Sequence, residues 1–447
     1  MRNKATAVLI LLLSMLMGTA AAHPRGPAIG TKAGPSAGRS TAAEIVVNSA
    51  DDTQDGSCDT VHCSLRDALA QAGDVAGPKT IVFDIPTSDP SYDALTGVWT
   101  LQTDGGYFAP DETTIDGSVP NGPGSITPGI EIDASTEAQY TSGLRTGSSV
   151  TLRGLVVNGF GYAVWIDQAD VTVEGCYIGT DPTGTLAKPN SHDGILLARG
   201  ATGAVIQGNV ISGNRTGGIR MFGDPTEGHV IHANRIGCAA DGVAALPNGR
   251  YGIKIHDGAH DNTTGPDNVI AFNGTYGIWV TDYLTHANTI TQNSIHSNEI
   301  GGIYLTSGGN DELDSPLLLQ VSRTEVVGSA CANCVIEVFS DAWDQGEIYE
   351  GTVTADGSGA WSFTAPAELP GLYVTATATD EHGSTSQFSE PVRLPPPATP
   401  TATRTATLIA TLTATRTSTS IATSTATATR PGERLPIYLP IIGREWR

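Results

Sequence analysis

The phrase Asn-x-x-x-Gly-Ile occurs five times and does more than any other feature to limit how this chain can fold. It ends at Ile195, Ile219, Ile253, Ile278 and Ile303. The intervals 253–278 and 278–303 are each 25 residues, and 195–219 is 24. The longer gap from 219 to 253 has a visible source. The segments IGTDPTGTLAKPNSHDGI (178–195) and IGCAADGVAALPNGRYGI (236–253) have the same length and share their Gly and Pro-Asn positions. They read as one insertion placed on two different repeats. Without it, a single period of roughly 24 residues remains, which is the signature of a solenoid.

Alternation selects the type of solenoid. GIRMF, GIKIH, GIWVT and GIYLT place apolar residues two apart, the period of a strand. A second apolar pair lies in NVISGN, NRIG, NVIAFN and NSIHSN, with no helical pattern between. The fold class is therefore all-β: a coil of parallel strands whose rungs stack at about 4.8 Å, with inward Ile and Val forming one long core. Five residues before each Ile stands an Asn: Asn190, Asn214, Asn248, Asn273 and Asn298. A second column runs through Asn209, Asn234, Asn268 and Asn293, with Cys176 on an earlier rung. Asn tolerates the left-handed backbone of a corner, and stacked amides can bond up a column. The repeated phrase is read as scaffold rather than chemistry.

Over residues 80–310 this pattern resembles the right-handed parallel β-helix superfamily that includes pectate lyases and polygalacturonases. A narrower resemblance follows from CSLRDAL, TIVFDI, TTIDGS, GLVVNGF, YIGTDPTGT and GNVISGN, in that order. It is to exported bacterial β-helix proteins with an N-terminal cap bearing a Cys-Ser-Leu-Arg-Glu-Ala-type motif. Here that motif ends in Asp67-Ala68-Leu69. The resemblance implies fold and location more than a reaction. The Asn-Thr-Asp, Asp-Asp, Gly-His-Gly and Arg-Ile-Lys series of polygalacturonases is not found.

The remaining chain divides by composition. Residues 1–22 have a basic start, a short apolar run and small residues at the end, so they read as a signal peptide; the run is short for a membrane anchor. Export permits disulfides, and Cys58 with Cys63 and Cys331 with Cys334 can each close a small loop. A zinc site built from both pairs, or a redox CANC, are the alternatives. Cys176 and Cys238 are expected as buried thiols. Within the cap, 44–78, Ser64 and Asp67 form a capping box opening a helix over LRDALAQA that covers the open end of the solenoid at 79–313. Residues 314–393 carry about seven short strands with DGSG and EHGS turns. They resemble bacterial immunoglobulin-like β-sandwich modules, which implies a spacer or stabilising cap. Residues 394–432 collapse to Pro, Thr, Ala and Ser and should form an extended stalk, and 433–447 are an apolar-then-basic tail suited to surface docking. The mature chain is expected to be extracellular, without a transmembrane span.

Function has to be sought on the outer face. A formal charge of −22 leaves no basic face for nucleic acid. The residue after each inward Ile should point to solvent: Leu196, Arg220, Lys254, Trp279 and Tyr304, with Trp165 extending the column. Phe222, His256, Thr281 and Thr306 follow further along each strand. Aromatic rings in a row, mixed with cations, suit sugar rings and their hydroxyls or carboxylates; support of cross-rung packing is the plain alternative. Asp257 and Asp282 should sit at the same strand end of adjacent rungs. They would be a calcium site, a catalytic acid pair, or turn residues. The spacing of His256 and His260 in HDGAHD is weak evidence for metal. The leading reading is a polysaccharide-binding or adhesion protein. The alternatives are a polysaccharide lyase or glycoside hydrolase, with Lys254 or Arg220 as base or charge neutraliser, and a structural surface coat without ligand.

Overall fold

The computed structural model describes residues 42–120, 126–134 and 141–397; the segments expected to be a signal peptide, most of a stalk and a docking tail lie outside the described residues. The repeats form three parallel sheets wound around one core. Sheet I has nine strands, from Ala43–Val47 to Thr289–Ile290. Sheet II has eight, from Tyr107–Ala109 to Gly301–Thr306. Sheet III has nine, from Tyr92–Asp93 to Ser294–His296, and its first pairing is antiparallel. The register is the one the repeat predicts: Ile195, Ile219, Ile253, Ile278 and Ile303 pair in succession on sheet II. All five are buried. This continuous apolar interior holds the coil together.

The Asn columns are hydrogen-bonded ladders. Asn190 Nδ2 donates to Asn214 Oδ1 at 2.9 Å, Asn214 to Asn248 at 3.0 Å, Asn248 to Asn273 at 3.0 Å and Asn273 to Asn298 at 2.9 Å. The second column links Asn209, Asn234, Asn268 and Asn293 in the same way, and Cys176 enters it as a backbone donor to Asn209 Oδ1. A third ladder was not read from the sequence. It runs from His229 through Asn262 and Asn288 to Asn310. The two insertions are indeed one device used twice. Each closes with an antiparallel bridge, Thr180–Ala187 and Cys238–Ala245, and they stack through Ala240 N–H to Gly184 O at 3.0 Å.

One α-helix, Leu65–Asp74, stands among the described residues. Ser64 Oγ accepts the Asp67 N–H at 3.1 Å, the first half of a capping box, while the Asp67 carboxylate turns to the Gly56 N–H at 3.0 Å and the Ser64 hydroxyl at 3.1 Å. Leu65, Ala68, Leu69 and Ala72 are buried in the same core as the first rungs. Disulfides join Cys58 to Cys63 and Cys331 to Cys334, while Cys176 and Cys238 are buried and free. None of the described helices is long and apolar enough to cross a membrane.

After Asp314, strands from Leu317–Val321 to Val392–Arg393 form a three-stranded and a four-stranded antiparallel sheet around a second core that includes Val326, Ile336, Val338, Trp361 and Phe363. This module is fastened to the last rung of the solenoid. Ile295 N–H donates to Gly346 O at 3.1 Å, Ile290 N–H to Thr385 Oγ1 at 2.9 Å and Gln292 N–H to the buried Glu337 carboxylate at 2.9 Å. Gln345 Oε1 accepts both the backbone N–H (2.9 Å) and Nδ2 (3.2 Å) of Asn298. Asn273 makes the same pair of bonds to Asn298 Oδ1. Gln345 thus stands where the next Asn of the ladder would be, and Asn298 is no free end.

Candidate functional site

The outer face of sheet II carries the expected column in register. Phe108, Arg145, Trp165, Leu196, Arg220, Lys254, Trp279 and Tyr304 pair in that order on successive strands. One expectation fails. Leu196 is only 1% exposed although its position points outward. It is a short side chain flanked in the column by the much larger Trp165 and Arg220, so pointing away from the core does not expose it. Trp165, Arg220, Lys254, Trp279 and Tyr304 are half-buried.

Two aromatic groups bracket the cations. At one end the Tyr162 ring meets Trp165 edge-on at 5.6 Å and stacks on His192 at 5.0 Å. At the other, Tyr276 stacks on Tyr304 at 4.3 Å, and Trp279 lies 6.4 Å from Tyr304 and 6.1 Å from Tyr276. Between them Lys254 Nζ sits 4.0 Å from the Trp279 ring centroid, a cation–π contact. Burial first, then the neighbouring Arg250, push the Lys254 ammonium below its ordinary pKa. His256 stacks on Phe222 at 5.8 Å, and burial with the adjacent Lys254 holds its imidazole down at about 4, so it is neutral at physiological pH.

Asp193 and Tyr251 complete the face and were missed in the sequence. Asp193 is 1% exposed, and burial raises its pKa against the opposing effect of Arg220. Its carboxylate forms an ion pair with Arg220, whose Nε lies 3.2 Å away, and accepts the Tyr251 hydroxyl at 2.9 Å. Tyr251 reaches it by passing over Gly217: a Cβ there would lie 2.1 Å from the Tyr251 ring. Arg220 also donates from Nη2 to the Tyr162 hydroxyl at 2.9 Å. Arg220 is therefore held by the scaffold, whereas Lys254 has no carboxylate in ion-pair contact among the described residues. Trp165 Nε1, Trp279 Nε1 and His256 Nε2 are buried polar atoms without a protein hydrogen bond. Such groups ordinarily bond to water or to a ligand.

Asp257 and Asp282 do occupy one strand end on adjacent rungs. Both have left-handed backbones, φ 58° and 81°, and Asp282 Oδ2 accepts the Asp257 N–H at 3.1 Å. That is turn chemistry. His256 and His260 do not converge: His260 lies instead beside Asp261 (2.7 Å) and Glu227 (3.6 Å) and stacks on His286.

The sequence profile described as "Right handed beta helix region" matches residues 136–311. No curated protein matches the chain in sequence. Among solved structures, the A-module of the Azotobacter vinelandii mannuronan C-5 epimerase AlgE6 is similar at 15% identity and TM-score 0.30, covering 54% of this chain and 67% of that one. The pectate lyase Pel9A is similar at 15% identity and TM-score 0.31, covering 60% and 76%. The Dettilon tailspike protein is similar at 15% identity and TM-score 0.23, covering 70% and 73%. The profile match, laid over the observed parallel register, makes the repeated part of this chain a right-handed parallel β-helix.

Proposed function

We propose that this is an exported protein that binds a polysaccharide along the outer face of sheet II. The observation that carries the reading is the column itself. Stacking rings at Trp165 and Trp279–Tyr304 bracket Arg220 and Lys254 on consecutive rungs, with unpartnered indole and imidazole nitrogens beside them. Rings stack on sugar faces, and the polar groups between them match hydroxyls or carboxylates. In this reading residues 1–22 direct export, the segment 44–78 caps the solenoid, 314–393 is an immunoglobulin-like module, and 394–447 form a stalk and surface-docking tail. The two disulfides favour an oxidising compartment.

The test is a glycan array with the full chain, followed by calorimetry of the parent and Trp279→Ala against the best glycan. Trp279→Ala should weaken binding by about 1–2 kcal/mol with an unchanged circular dichroism spectrum. Unchanged affinity would remove the face as the binding site.

The environment of Lys254 favours one second reading, a polysaccharide lyase. Burial disfavours the charged form of Lys254, and with no ion-pair partner among the described residues its neutral amine suits proton abstraction beside a sugar carboxylate. Calcium would then be held by Asp257 and Asp282, with water and ligand completing its six to eight oxygens. Ultraviolet detection of unsaturated products separates the readings: Lys254→Ala should abolish them in a lyase and only weaken binding in an adhesin.

A further inference from the structure

The junction between the last rung and the antiparallel module holds a cleft of about 420 Å³ whose residues the column does not include. One wall is the corner Asn298–Ile300, and the other is the loop Asp341–Gln345 with Glu347. We infer that this cleft is a terminal sugar-binding subsite, and that the module contributes Trp343 to it as a stacking platform for a neutral, hydroxyl-rich sugar unit. The inference rests on the glycan-binding reading above.

Trp343 is 74% exposed, and Ile300 across the cleft is 59% exposed. An exposed indole on a floppy loop would mean little, but this loop is fixed. Asp341 Oδ1 accepts the Trp343 N–H at 2.9 Å, and its Oδ2 accepts the N–H groups of Gln345 (2.8 Å) and Gly346 (2.7 Å). Gln345 then ties the loop to Asn298, donating from Nε2 to Asn298 O at 2.8 Å. A rigid aromatic surface costs little entropy to use in binding.

The cleft continues the aromatic face. Ile300 leads directly into Gly301, which pairs with Tyr276 and brings no side chain against its ring: a Cβ at Gly301 would be 3.7 Å from it. Tyr276 in turn stacks on Tyr304, the last member of the column. A chain lying along Trp279 and Tyr304 therefore runs towards Ile300 and Trp343.

The polar lining sets the class of sugar. Glu299, Asp344 and Glu347 line the cleft, and none of their carboxylates has a hydrogen bond or salt bridge among the described residues. Carboxylates free of cations repel a uronate but accept hydrogen bonds from vicinal hydroxyls. This end of the track should accordingly prefer neutral units, in contrast to the cationic centre at Arg220 and Lys254.

The experiment titrates the full-length protein with cello-oligosaccharides and chito-oligosaccharides of increasing length, and with oligogalacturonates as the anionic counterpart. Parent, Trp279→Ala, Trp343→Ala and Asp344→Asn are compared, with circular dichroism as the folding control. The inference predicts that Trp343→Ala weakens binding of the longer neutral chains roughly five- to tenfold, and that Asp344→Asn narrows the preference for neutral over anionic chains. If Trp279→Ala loses affinity while Trp343→Ala binds like the parent, the terminal subsite is wrong and the face reading stands. Should neither indole matter, or the parent bind none of these chains, both are overturned.

Discussion

Asn273→Leu tests whether the ladders hold the corners. The Asn273 side chain donates to Asn298 Oδ1 at 2.9 Å and to the carbonyls of Ile236 and Ala271 at 3.2 Å each, and accepts Asn248 Nδ2 at 3.0 Å. Leucine has a similar size and removes all four bonds. The two neighbouring atoms that lose Asn273 each keep one bond, Asn248 Nδ2 to Ile211 O and Asn298 Oδ1 from the Asn273 backbone N–H, so neither is fully orphaned. Four bonds at about 1 kcal/mol each, offset in part by about 1–2 kcal/mol gained on burying the leucine side chain, leave a loss of about 2–3 kcal/mol. From the sequence alone Asn298 would be cheaper to replace, being nearer the end. The structure removes that difference, because Gln345 occupies the next position. Asn298→Leu should therefore cost about as much, and a double-mutant cycle of Asn298 with Gln345 should show coupling. The assay is the urea midpoint, with amide hydrogen exchange across the rungs to establish that unfolding is cooperative. Midpoint shifts equivalent to less than about 0.5 kcal/mol for both variants would refute the ladder argument.

Two further outcomes follow from single residues. Burial holds His229 down at about 4, below the ordinary value near 6.5, and its Nδ1 accepts the Ala204 N–H at 3.0 Å. The unfolded chain therefore takes up this proton first, so the His229 contribution is complete above pH 6.5 and is lost as pH falls towards 4, by on the order of 3 kcal/mol. His229→Asn should flatten that acid limb in a pH series of thermal melts, because an amide oxygen can accept the Ala204 N–H without titrating. Gly217→Ala should displace Tyr251 from Asp193, costing about 1–3 kcal/mol of stability and weakening glycan binding, both measurable on the same preparation.

What the sequence revealed and what it hid have physical reasons. Repeats one rung apart report on their nearest neighbours, so the Ile register, two Asn ladders and the paired insertions were legible from spacing alone. The third ladder was not, because it starts at a His and ends in the Asn310 turn, at separations of 33, 26 and 22 residues. Asp193 and Tyr251 meet across two rungs only because Gly217 leaves room between them, a condition no local pattern states. Leu196 shows that strand alternation gives direction, while exposure depends on the size of the neighbours. Gln345 completes an Asn column from a separate module, and nothing in its own segment marks it for that role.

The most direct test of the account is a crystal structure of the full-length protein soaked with the oligosaccharide selected on the array. Sugar rings should lie along sheet II, stacked on Trp279 and Tyr304 with Lys254 within hydrogen-bond reach of a ring substituent. Density for the chain elsewhere, such as the acidic cleft lined by Glu131, Asp133 and Lys188, would contradict it.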